Sequence, residues 1–227
     1  MTKSVYADLS KAVFGRGLAL RGGFHPGVGD SVPEAAEGRE ARTVVLVGNV
    51  GPDMWPHFAP NSAGKPDALD RWTKAVVNPV AEAFGARAVY PFDKPPLPFQ
   101  RWATRAEAVH SSPLGILIHP DHGLWHAYRA AMLFAEDIEL PSPDDRPSPC
   151  ESCAEKPCLS ACPVGAFSGS GYDVPACAGY LNSPGGTSCL DGGCRARHAC
   201  PVAAGRRYNP DQIRFHMAAF SRAVCGG

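Results

Sequence analysis

Apolar residues recur at two different periods along the first 140 residues and mark out helices alternating with strands. Val5, Leu9, Val13 and Leu18 follow a helical spacing over residues 4–20, closed by Arg21-Gly22-Gly23. Residues 24–38 are rich in Gly, Pro and acidic side chains and read as a long loop. Thr43-Val-Val-Leu-Val-Gly48 is a β-branched, nearly all-apolar run, the mark of a buried strand, and Gly48-Asn-Val-Gly51 after it reads as a plain turn. Leu69, Trp72, Val76, Val80 and Phe84 predict the longest helix, over residues 67–84, which Pro79 should kink or break. Residues 86–90 form a second strand, and the prolines of Pro91-Phe-Asp-Lys-Pro-Pro-Leu-Pro98 impose an extended loop. Helix returns over 100–110, a third strand covers 114–118, and residues 127–140 add further strand. Near the end, Asn209-Pro210-Asp211 opens a helix with Asn as cap and Pro in the first turn. It carries Ile213, Met217, Phe220 and Val224 on one face, a stripe suited to packing on the protein itself. The fold class expected is α/β (α+β): a central, mostly antiparallel sheet flanked by helices, followed by a small C-terminal module.

The proline-rich, polar stretch Pro141-Ser-Pro-Asp-Asp-Arg-Pro-Ser-Pro149 reads as a linker. It divides the chain into an expected first domain, residues 1–145, and a second, residues 146–227. Composition narrows the field further. The 22 Lys and Arg balance 22 Asp and Glu, so no net field draws nucleic acid or an anionic membrane. No stretch is long and apolar enough for a membrane span, and Met1-Thr-Lys-Ser-Val-Tyr-Ala-Asp8 does not resemble a signal peptide. With cysteines concentrated in one region and no export signal, a reducing compartment, the cytoplasm, is expected.

Those cysteines carry the candidate chemistry. Eight of the nine lie between Cys150 and Cys200, in two runs that each end in Cys-Pro: Cys150, Cys153, Cys158 and Cys162-Pro163, then Cys177, Cys189, Cys194 and Cys200-Pro201. In two-cluster ferredoxins the last cysteine of each such run ligates the other cluster. Applied here, the rule assigns Cys150, Cys153, Cys158 and Cys200 to one 4Fe–4S cluster and Cys162, Cys177, Cys189 and Cys194 to a second. The spacings are wider than the common bacterial run, but the extra residues (Glu155, Lys156, Pro157, Gly192 and Gly193) are loop formers that can bulge. Four-cysteine zinc binding and a disulfide framework are the alternatives. Zinc favours paired C-x2-C knuckles, of which only Cys150/Cys153 is one; disulfides need an oxidising compartment. Cys225 stands apart from both runs and is not counted among the ligands.

The segment Ile118-His-Pro-Asp-His-Gly-Leu-Trp-His-Ala-Tyr-Arg129 is the most unusual part of the first domain. His119, His122 and His126 could suggest a metal, but Pro120 and Gly123 interrupt any helix that would align them, so hydrogen-bonding loop histidines are the default. Gly allowing close approach, Trp offering an apolar face and Arg binding a carboxylate or amide edge suit a flat ligand better. Leu114 to Arg129, leading into Ile138-Glu-Leu-Pro141, resembles the corresponding segment of CblC-type cobalamin-processing proteins. Weaker similarity reaches back through Gly23-Phe-His-Pro26, Val44–Val47 and the Asp53–Phe58 region. The cysteine region, with Cys177-Ala-Gly-Tyr-Leu181 between its runs, resembles the ferredoxin module of epoxyqueuosine reductases and reductive dehalogenases.

The resemblance implies a base-off corrinoid (cobalamin) held against the α/β domain, with the two-cluster module feeding electrons to cobalt. It implies Ile118, His119, Pro120, Gly123, Trp125 and Arg129 as cofactor-pocket residues. Phe92-Asp93 resembles the acid-bearing stretch of epoxyqueuosine reductases, which makes Asp93 a candidate proton donor; read by itself, Asp93 is a loop aspartate that caps a turn. Two further readings stand beside this oxidoreductase: a ferredoxin-like electron carrier whose first domain docks a partner enzyme, and a cobalamin chaperone with clusters as its built-in reductant. Arg195, Arg197, Arg206 and Arg207 form a basic patch beside the second run. The patch suits docking of an acidic donor such as reduced ferredoxin or flavodoxin, or simply offsets cluster charge.

Overall fold

The computed structural model describes residues 4–62, 67–169 and 171–225. In chain order its strands are β1 (Ala19–Phe24), β2 (Thr43–Val50), β3 (Arg87–Val89), β4 (His110–Ser111), β5 (Leu117–Ile118), β6 (His126–Phe134), β7 (Phe167–Ser168) and β8 (Gly171–Tyr172). The α-helices are α1 (Val5–Phe14), α2 (Trp55–Phe58), α3 (Ala68–Ala83), α4 (Phe99–Ala106), α5 (Pro157–Ser160), α6 (Val174–Leu181), α7 (Thr187–Gly192), α8 (Arg195–Ala199) and α9 (Pro210–Cys225). The chain divides into two compact units. One comprises residues 1–108 with 126–145, the other residues 109–125 with 146–227. The segment 109–125, which the linker reading keeps in the first domain, thus groups with the cysteine region.

The first unit is a four-stranded sheet in the order β1-β2-β6-β3, antiparallel at every pairing. All eight residues of β2 are buried, because it is an interior strand whose apolar run is covered on both faces. Helices α1, α3 and α4 pack against the sheet. Arg21 of β1 is also buried; its guanidinium donates to both carboxylate oxygens of Glu107, at 3.1 and 2.5 Å, and the Tyr128 hydroxyl donates to the same carboxylate at 2.6 Å. The two hydrogen bonds make this buried charge tolerable where a bare one would not be.

Five local expectations are corrected. Helix α1 stops at Phe14 rather than near residue 20, because Gly15 and Gly17 end it and Gly17 takes a φ of +73°. Arg21-Gly22-Gly23, read as a helix stop, instead forms β1, with a bulge between Leu20 and Gly23. Gly48-Asn49-Val50 continues β2 through a second bulge instead of turning. Helix α3 runs unbroken through Pro79, which lies on the exposed side, where the carbonyl it leaves unpaired meets water. The predicted third strand, 114–118, shrinks to β5, paired only with β4.

The second unit is built from short helices and two hairpin-like pairs, β4–β5 and β7–β8. Its core gathers Leu114, Ile118, Leu124, Ala196 and Cys200. Helix α9 begins as expected, the Asn209 Oδ1 accepting from the Gln212 amide at 2.8 Å. Among the described residues no helix is long and apolar enough to cross a membrane.

Gly48 offers a direct test of the sheet. A methyl group added there would strike the Ala127 carbonyl oxygen of β6, far inside contact distance. Gly48→Ala is expected to cost about 1–3 kcal/mol, the scale of core overpacking, read as a lower urea midpoint at unchanged slope.

Candidate functional site

The second unit gathers its eight clustered cysteines from loops and the ends of short helices. Cys158 lies in α5 and Cys162 just beyond it; Cys194 caps the start of α8 and Cys200 its end. Helices α5 and α8 pack against each other. Each therefore carries a cysteine toward each of two groups. Cys150, Cys153, Cys158 and Cys200 are within electrostatic reach of one another. Cys162, Cys177, Cys189 and Cys194 line a single cavity of about 440 Å³, whose walls include Leu114, Phe167, Tyr172, Leu181 and Ala196. Six positions across α8 separate Cys194 from Cys200, on the order of 10 Å at helical rise.

One of the sulfurs is held by a donor as well as by packing. The Ala166 amide donates to Cys162 Sγ at 3.3 Å. Ser148 Oγ accepts from the Cys150 amide at 3.3 Å, and Tyr172 lines the same cavity as Cys177. Burial pushes the thiols of Cys150, Cys158, Cys177, Cys194 and Cys200 up, and neighbouring cysteines push the same way. All nine cysteines are free thiols, which leaves the disulfide framework without support. Among the described residues no three His, Cys, Asp or Glu side chains close around a single-ion position. Cys225 is part of α9, where its Sγ donates to the Ala178 carbonyl at 3.7 Å.

The residues singled out in 118–129 divide between the units. Ile118 is in the second unit's core. His119 is buried, its Nδ1 accepts from the Asp121 amide at 3.0 Å, and its ring stacks on His122 at 4.3 Å. Pro120 follows at the turn that the His119–Gly123 bridge closes. Gly123 has a φ of +56°, and a side chain there would strike the Val202 carbonyl; its close approach is to backbone. Trp125 is 1% exposed, so the open apolar face expected of it is instead covered. Arg197 lies over its ring at 4.4 Å, and Tyr208 and His198 meet it edge-on. The same Arg197 donates from Nε and Nη2 to the Leu124 carbonyl, at 3.1 and 2.5 Å.

Arg129 and Asp93 belong to the first unit. Arg129 donates to Asn49 Oδ1 at 2.8 Å and, with Asp70, Pro91, Phe92 and Tyr128, lines an open pocket of about 220 Å³. Burial pushes the Asp70 carboxyl up against the pull of Arg129. Asp93 accepts from the Tyr90 amide at 2.8 Å and pairs with Lys74 at 3.5 Å, so in this structure it caps the turn. Sequence reasoning missed Arg197 as a clamp on Trp125 and Leu124; only its place between Cys194 and Cys200 could have drawn attention to it.

The fold is shared with solved proteins. The epoxyqueuosine reductase of Streptococcus thermophilus superposes with a TM-score of 0.55 at 14% identity, over 91% of this chain and 69% of that one. The C. elegans B12-trafficking protein CblC gives 0.54 at 12% identity, over 97% of this chain and 96% of that one. The epoxyqueuosine reductase of Bacillus subtilis gives 0.50 at 13%, covering 91% and 68%. No protein-family profile matches the sequence, and no curated protein matches it either.

Arg197 should be a stabilising clamp in its own right. Arg197→Ala removes a stacked cation and two hydrogen bonds to one carbonyl, and is expected to cost about 1–3 kcal/mol in chemical denaturation. Arg197→Lys should recover only part of that loss, since an ammonium lacks the planar fork.

Proposed function

We propose that this protein is an iron–sulfur oxidoreductase that relays single electrons through two 4Fe–4S clusters to a bound redox cofactor, base-off cobalamin. Its work would be corrinoid reduction or processing, or a corrinoid-dependent reduction. The observation that carries the reading is the pairing of α5 with α8, each giving one cysteine to each of two four-cysteine groups. Cys150, Cys153, Cys158 and Cys200 would hold one cluster; Cys162, Cys177, Cys189 and Cys194 would hold the other. A cavity lined by four thiols and otherwise mainly by apolar and aromatic side chains suits a cluster, and the Ala166 amide donating to Cys162 Sγ suits an anionic ligand. The separation across α8 suits electron hopping from one group to the next. A bound corrinoid would supply the redox and carbon-transfer chemistry of cobalt, while the chain positions it and tunes its surroundings.

The corrinoid part rests on the shared fold with a B12-trafficking protein and with epoxyqueuosine reductases. At about 220 Å³ the pocket at Arg129 is smaller than ordinary small-molecule sites. It would grip one edge of a macrocycle, with Arg129 and Asp70 meeting an amide arm. Ile118, His119, Pro120, Gly123 and Trp125 belong to the second unit, and the burial of Ile118 and Trp125 in its core clusters suits a structural role within that unit. Asp93 is a candidate proton donor only if it leaves its turn. The exposed Arg195 and Arg207 offer the basic surface for an acidic donor such as reduced ferredoxin or flavodoxin; Arg197 is turned inward. The small size of the Arg129 pocket favours a second reading, an electron carrier without a corrinoid.

Anaerobic reconstitution tests the first claim. The chain is expected to take up about eight irons with matching sulfide, and Cys153→Ala about four. Zinc in place of iron would overturn it. Titration with cob(II)alamin, followed by EPR, separates the two readings. A base-off cobalt signal is expected for the oxidoreductase, and an unchanged spectrum would leave the electron carrier.

A further inference from the structure

Two loop tips form an exposed part of the wall around Cys162, Cys177, Cys189 and Cys194. One is the turn joining β4 to β5, where the Ser112 amide donates to the Ile116 carbonyl at 3.1 Å. The other is Cys162-Pro163-Val164-Gly165, closed by the Gly165 amide donating to the Cys162 carbonyl at 3.2 Å, with Pro and Gly where such a turn favours them. Each tip holds a large apolar side chain in water at the cavity wall: Ile116 is 41% exposed and Val164 40%. Arg195, also exposed, belongs to the same wall and to a neighbouring open depression of about 510 Å³ that it shares with Cys162, Pro163 and His198. The exposed Arg207 donates to the His198 carbonyl at 2.7 Å, which brings a second guanidinium to that depression. Among the described residues no carboxylate lines the cavity or the depression.

Apolar side chains exposed singly are ordinary; two at one opening, bordered by cations and no carboxylate, mark a surface for a partner. The rim is also joined by chain to the thiols. Val164 lies two residues from Cys162, and Arg195 directly follows Cys194. A protein covering the rim therefore lies next to two of the four cysteines. An apolar patch bordered by positive charge matches an apolar patch bordered by carboxylates. Transient redox encounters bury less than about 1,200 Å² in total, so a small rim suffices. We propose that the rim of Ile116, Pro163, Val164 and Arg195 is the docking surface for an acidic one-electron carrier protein, and that electrons enter the chain at the cluster on Cys162, Cys177, Cys189 and Cys194. One electron leaves the carrier's reduced centre, oxidising it by one unit, and reduces the cluster by one; no bond or proton moves. This rests on the two-cluster reading above and adds where the donor sits and which cluster fills first.

The experiment compares the reconstituted full-length chain with Arg195→Glu and with the double variant Ile116→Ser/Val164→Ser, using flavodoxin as the acidic probe. Calorimetry measures affinity for oxidised flavodoxin at several salt concentrations. Stopped-flow absorbance then follows reduction of the chain by reduced flavodoxin and, separately, by dithionite. Iron and sulfide are measured on every sample. The wild-type chain is expected to bind the probe more weakly as salt rises. Arg195→Glu should weaken binding and slow reduction by flavodoxin about tenfold, with a flatter salt dependence and dithionite much less affected. The apolar double variant should weaken binding comparably at unchanged salt dependence. Variants that match the wild type would overturn the proposal, as would equal slowing with both reductants, which would assign the substitutions to the cluster site itself. So would a wild-type dimer that the apolar variant dissolves without any change toward flavodoxin, since the rim would then belong to a second copy. A wild-type chain that takes up no iron would instead defeat the two-cluster reading, and the proposal with it.

Discussion

Two short helices packed against each other decide the second unit. Without the contact of α5 with α8, Cys200 would be remote from Cys150, Cys153 and Cys158, and Cys162 from Cys177, Cys189 and Cys194. Neither helix is long enough to be stable alone. Each is held by the core of Leu114, Ile118, Leu124, Ala196 and Cys200, into which several further cysteines are packed. Core and thiol groups are thus the same structure viewed twice. Crowding half-buried thiols together raises the cost of ionising them, and a bound multi-iron centre would remove that cost by accepting their negative charge.

The first unit is governed differently. Its centre is a wholly buried strand, β2, with bulges on each side that let Gly48 lie against Ala127 and bend β1 past it. The buried pair of Arg21 with Glu107 is tied to the sheet by the Tyr128 hydroxyl. Burial and the Glu107 charge push the Tyr128 phenol up, so it stays a donor throughout the physiological range. This arrangement fixes the strand end from which Arg129 reaches Asn49 and the small pocket.

Much of this was legible in the sequence. A continuous apolar run such as Thr43–Val47 has few fates other than a buried strand, and the 3.6-residue spacing of Leu69, Trp72, Val76 and Val80 reads as helix despite Pro79. The two Cys-Pro endings are the basis on which the partition of the cysteines is proposed. What escaped depends on contacts distant in sequence. Trp125 reads as an open platform from its neighbours, yet residues some seventy positions later, Arg197 and Tyr208, cover it. Gly48 and Gly22 read as punctuation because a bulge and a turn call for the same residue.

The chain enters the second unit at residue 109, leaves it at 125 and returns at 146. The proline-rich stretch before Cys150 is therefore one of three crossings between the units rather than a complete seam. A cut there would strand Leu114, Ile118 and Leu124 on the wrong fragment and open the core that seats the cysteine groups. The two units are not modules to be shuffled by recombination at their visible joint. Along the chain they are interleaved, residues 109–125 of the second unit lying between two segments of the first.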